Sequence, residues 1–122
     1  MTQALVQVRA DIDAAFAEEI ELTKEAMRTG ISSEPIVSFT FATLAQMFEV
    51  FTANRWDMIQ KLQGSGPLSV RGLARALGRD VRRVHDDVSV LLDWGIIERN
   101  DDNKVFAPYD HIHLSADIRA AA

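Results

Sequence analysis

The chain has 122 residues, room for about one domain with a real core and too few for two. A formal net charge of -5, with 48% hydrophobic and 25% charged residues, is the balance of a globular protein rather than a disordered or membrane-spanning one. With no cysteine, disulfides, thiolate catalysis and cysteine-ligated zinc are excluded, which fits a reducing, cytoplasmic setting.

The first residues do not read as a targeting peptide, because Asp11, Asp13, Glu18 and Glu19 come early. Ala4–Arg9 is short, β-branched and partly alternating, which predicts a strand. Asp11 then stands as a helix N-cap. From Ile12 to Arg28 there is no Gly or Pro, and Ile12, Ala15, Phe16, Ile20 and Met27 recur at helical spacing with acids on the other face. A single helix over residues 3–28 is the alternative. After the Ser32-Ser33-Glu34-Pro35 loop, Ile36–Phe41 alternates as a second strand that could pair with the first. Thr43–Phe51 follows as a helix with Leu44, Met47 and Phe48 inward.

Thr52 is the predicted cap of the next helix, with Trp56, Ile59 and Leu62 on its inner face. Gly64-Ser65-Gly66-Pro67 breaks the chain and is no phosphate loop, since no Gly-Lys-Ser/Thr follows. Ser69 caps a short helix with Val70, Leu73, Ala74 and Leu77 inside, closed by Gly78. Asp80 caps another, whose stripe of Val81, Val84, Val88, Leu91 and Leu92 has helical spacing and stops at Gly95. Ile96–Arg99 and Lys104–Ala107 form two short strands joined by Asn100–Asn103, and His111–Leu114 could add a third.

Charge is unevenly spread. Residues 1–35 hold three basic and seven acidic side chains, whereas residues 67–83 hold five arginines against Asp80 alone. A local basic patch can bind phosphate on an acidic protein. With the valine stripe inward, Arg79, Arg82, Arg83, His85, Asp86 and Ser89 fall on the outer side of the second helix, where base edges and phosphates are read. Arg71 and Arg75 on the preceding helix, Ser69 at its cap and Lys104 beside the hairpin tip complete the expected DNA-binding set. Asp86 and Asp87 would repel phosphate, so they are expected to point away or to hold Arg75 or Arg83, and Arg82 could instead pair with Asp86. Arg55, at the start of its helix, calls for a partner such as Asp57 or Asp93. Trp56 and Trp94 read as core anchors.

His111 and His113 share a strand face, but two imidazoles and Asp110 fall short of a closed metal site. No nucleophile–base grouping, paired carboxylate pocket or nucleotide loop points to an enzyme, and no cofactor is implied.

Helix, helix, helix and hairpin over residues 54–107 is the winged helix-turn-helix order. Leu73-Ala74-x-x-Leu77-Gly78-Arg79-Asp80-Val81, running on to Leu91-x-x-Trp94-Gly95-Ile96-Ile97, resembles the signature of MarR-like winged-helix regulators. More narrowly, Thr52-x-x-Arg55, Gly66-Pro67-Leu68-Ser69-Val70, Val84-His85-x-Asp87-Val88 and Pro108-Tyr109-Asp110-x-Ile112 resemble a family of small MarR-like DNA-binding proteins, many of whose members look like antitoxins. The resemblance covers residues 36 to 114. It implies double-stranded operator DNA as a partner, transcriptional repression as the role, and a cognate toxin.

The expected fold is mainly α (α+β): a winged helix-turn-helix domain over 53–114, an N-terminal strand–helix extension over 1–52 and a frayed tail over 115–122. The extension is too acidic for DNA, so Ile12, Phe16, Glu18, Glu19, Ile20 and Met27 are its candidates for homodimer or toxin contact. A winged helix used only for protein interaction is the alternative function.

Overall fold

In the computed structural model, residues 3–9, 17, 18, 20, 21, 24 and 36–118 are described. The chain divides into two compact units, Met1–Met47 with His111–Ala122, and Phe48–Asp110.

The first unit contains a three-stranded sheet of order β2-β1-β5, with β1 Gln3–Val8, β2 Ile36–Phe41 and β5 His111–Ser115. Both neighbours run parallel to β1. This overturns the single-helix alternative, because Gln3–Val8 is the central strand, paired on both sides. Parallel pairing of β1 and β2 requires a long crossover, which residues 9–35 supply. Described residues 17, 18, 20, 21 and 24 of that crossover are helical. Asp11, Ile12, Phe16, Glu19 and Met27 lie outside the described residues.

Period-2 alternation sets the sheet's two faces. Ala4, Val6, Phe39 and Phe41 are buried. The register places Ile112 beside Ala4 and Leu114 beside Val6 on this same apolar face. The other face is formed by Gln3, Leu5, Gln7, Ile36, Ser38, Thr40, His111, His113 and Ser115, with the Gln7 amide donating to Thr40 Oγ1 at 3.0 Å. The expected third strand thus exists, but it bonds to β1 rather than to the hairpin. For that reason the second unit closes at Asp110, four residues before the expected boundary.

The second unit is a winged helix. The boundary between the units falls within α1 (Leu44–Val50), and the second unit continues with α2 (Ala53–Ser65), α3 (Val70–Leu77), α4 (Val81–Trp94), β3 (Glu98–Arg99) and β4 (Val105–Phe106). Each of the last three helices starts where a side-chain oxygen accepts a first-turn N–H: Thr52 from Arg55, Ser69 from Gly72 and Asp80 from Arg83. Gly78 and Gly95 end α3 and α4 in the left-handed region, at φ 67° and 77°, where a side chain would be strained.

Met58, Ile59 and Leu62 of α2, Leu73 and Ala74 of α3, and Val84, Val88 and Leu91 of α4 form the core with Ile96, Ile97 and Val105. β3 and β4 pair antiparallel, and Leu68, just before α3, adds two hydrogen bonds to Val105 at 2.8 and 3.0 Å. The wing is therefore anchored through the segment that starts α3.

Three inward assignments are corrected. Phe48 is 57% exposed, and Phe51 fills the interior instead, stacked on the half-buried Trp56 with ring centroids 4.5 Å apart. Val81 and Trp94 are each 43% exposed, since the first and last residues of a helix project past the elements that cover its middle.

Tyr109 is buried, and its hydroxyl donates to the Gly95 carbonyl at 3.4 Å. Burial, and secondarily the Glu98 carboxylate, raise its pKa above the ordinary 10.0. The folded chain thus holds the phenolic proton more tightly than the unfolded chain does. This contribution to stability is complete below about pH 10 and is lost as pH rises through the folded-state value. Tyr109 is the sole tyrosine, so ultraviolet titration reads it alone. The native curve should lie to the alkaline side of the curve in urea, and coincident curves would contradict the burial argument.

Candidate nucleic-acid interface

The five arginines of residues 67–83 separate into two classes. Arg79 belongs inside the structure. Its Nη2 donates to Asp87 Oδ2 at 2.9 Å, while Arg55 Nε donates to the other oxygen, Oδ1, at 3.1 Å. All three side chains are 16–22% exposed. Arg55 Nη1 also donates to the carbonyls of Glu49 and Val50 at 2.9 Å each, so a cation sits at the C-terminal end of α1, where the helix dipole favours one. Asp87 thereby ties α4 to the start of α2 and to the turn between α3 and α4. This corrects the outward placement of Arg79, and it identifies Asp87, not Asp57 or Asp93, as the partner of Arg55. Nor does Asp87 hold Arg75 or Arg83.

Arg71, Arg75, Arg82 and Arg83 are exposed and make no ion pair among the described residues. Arg71 lies in the first turn of α3, and Arg82 and Arg83 lie in the first turn of α4. Neither first turn carries an acid. The expected Arg82–Asp86 pair does not form: Asp86 instead lies 3.8 Å from His85 Nδ1, both side chains being well exposed. Ser69 Oγ accepts from the Gly72 N–H at 3.0 Å, leaving its own proton available to an acceptor. Ser89, half-buried, spends its hydroxyl proton on the His85 carbonyl at 3.0 Å.

The wing turn is built on Asn100, whose Oδ1 accepts from the N–H groups of Asp102 and Lys104 at 3.0 Å each. Asn103 takes φ 61°, and its Oδ1 accepts from Arg99 Nη1 at 2.7 Å. These contacts fix the tip and leave Lys104 exposed beside it.

Of the expected partner-binding residues, only Glu18 and Ile20 are described. Glu18 makes two hydrogen bonds with Arg9, at 2.6 and 3.0 Å, and these lower its pKa. Ile20 is 53% exposed. Among the described residues no group of three or more metal-ligating side chains comes together. No helix among them is long and apolar enough to cross a membrane.

The unequal roles of the three bridged side chains predict an asymmetry in stability. Asp87→Ala leaves two guanidiniums side by side and should cost about 2–3 kcal/mol, less than a fully buried pair because all three groups are partly exposed. Arg79→Ala should cost less, since Arg55 still neutralises Asp87 and the buried, unpartnered Arg79 Nη1 is removed. Urea midpoints at constant slope would measure both, and equal losses would contradict the account.

A family model described as HVO_A0114 matches residues 50–114, more than half of the chain. No curated protein and no solved structure shows a significant match.

Proposed function

The chain belongs to the HVO_A0114 family, and for this member of it we propose sequence-specific binding of double-stranded DNA by the winged helix, in the role of a transcriptional regulator. One observation carries the proposal. Arg71, Arg82 and Arg83 occupy first turns, where a cation opposes the helix dipole at a cost of about 0.3–1 kcal/mol each. No described carboxylate pairs with them. An arrangement unfavourable within the chain becomes favourable when an external polyanion meets it.

The winged-helix frame says how. The outer face of α4 enters the major groove with Arg82 and Arg83 leading, and His85 follows one turn on. Arg71, Arg75 and the Ser69 hydroxyl take backbone phosphates from α3, and Lys104 takes one from the wing. Asp80 is occupied in capping α4, while Asp86 on the exposed face repels phosphate and narrows the orientations in which the helix can dock. Cytoplasmic location goes with this reading. The toxin–antitoxin setting rests on the MarR-like resemblance alone and adds nothing to the argument from the arginines.

Mobility shifts on the DNA upstream of the chain's own gene test the proposal. Arg82→Ala and Arg83→Ala should each weaken specific binding by about 1–3 kcal/mol. Arg71→Ala should weaken all sequences alike and reduce the salt slope by about one unit. Unchanged binding by a folded Arg82/Arg83 double mutant would refute the assignment. Failure of the unmodified chain to bind DNA would leave the protein-interaction reading of the winged helix.

A further inference from the structure

Among the described residues, strand β5 is an open edge. It bonds to β1, and no other described strand pairs with it. His111, His113, Leu114 and Ser115 are exposed, and Ile112 is half-buried. The apolar face that buries Ala4, Val6, Phe39 and Phe41 reaches this edge and is cut off there, with Leu114 46% exposed. Parallel sheets normally cover both faces, and a bare edge is a template for another strand.

The sequence of β5 indicates which strand. In an antiparallel pair, residues directly opposite one another project from the same face. If a second β5 is laid antiparallel about a two-fold axis at His113, each Ile112 faces the other copy's Leu114. Each His111 faces a Ser115, and His113 faces itself. Apolar residues meet apolar residues on the face that is already apolar, and polar residues meet on the other. No Asp, Glu, Lys or Arg lies within the strand, and this register uses all five of its residues. Centring the axis on Ile112 or Leu114 would leave part of the strand unpaired.

We infer that β5 joins two copies of this chain edge to edge into a continuous six-stranded sheet, with the two-fold axis at His113. The interface belongs to the unit of residues 1–47 and 111–122, not to the winged helix, and it involves a strand outside the 1–52 segment. It stands independently of DNA binding, although a two-fold pair carries two winged helices and so suits a two-fold operator.

The chain's lack of cysteine makes the geometry testable with single thiols. In His113→Cys the two thiols face each other across the axis, with Cβ atoms about 5 Å apart. In Ser115→Cys they lie four residues apart along the strands, about 14 Å, beyond the reach of a disulfide. Mild oxidation should convert the His113→Cys chain to a covalent dimer while Ser115→Cys remains uncrosslinked. A mixture of His111→Cys and Ser115→Cys should form the crossed disulfide. Equal crosslinking at 113 and 115, or none at 113, would overturn the inference. So would light scattering that gives the unmodified chain the mass of one copy. Neither readout involves DNA, so either result leaves the arginine assignment to be judged separately.

Discussion

Asp87 is the point on which the winged helix depends. A carboxylate on the flank of α4's buried stripe cannot be left unpaired, because removing a charge from water without compensation costs more than the helix can absorb. Here two guanidiniums compensate it, one from the start of α2 and one from the turn before α4. The first of them also caps the carbonyls that end α1. One side chain thus sets the position of α4 relative to two other helices.

That arrangement also divides the arginines by function. Five stand close together in the sequence, and composition alone treats them alike. Arg79 is consumed by the fold. The exposed four are not, and three of them sit in first turns that hold no acid, Asp80 at the cap of α4 being taken up by the Arg83 N–H. The bridged pair makes the frame rigid, and the exposed cations make its surface attractive to a polyanion. The proposed DNA binding would need both, since a loosely held helix loses ordering entropy on every encounter.

Much of the architecture was legible because its signals are local. Thr52, Ser69 and Asp80 cap helices, and Gly78 and Gly95 end them, all within a few residues of the elements they bound. The valine stripe of α4 shows its period within its own helix, though Val81 at the end escapes burial. Contacts between distant residues were not legible. Arg55 and Asp87 are 32 positions apart, and nearer acids competed for the pairing. Leu68 reaches Val105, and β5 pairs with β1 across nearly the whole chain. One signal for Asp87 was present: three residues past Val84 and one before Val88, it borders the buried stripe. An acid at such a position must find a cation. The exchange of Phe48 for Phe51 had no comparable signal, since both fit an apolar helix end.

Amide chemical-shift mapping distinguishes the winged helix from the sheet as the surface that meets DNA. On titrating the isotopically labelled chain with duplex DNA from upstream of its gene, the account predicts changes at residues 69–75, 80–89 and 100–104. Arg55 and β1 should remain unmoved. Changes concentrated in β1, β2 and β5, with α4 silent, would contradict it.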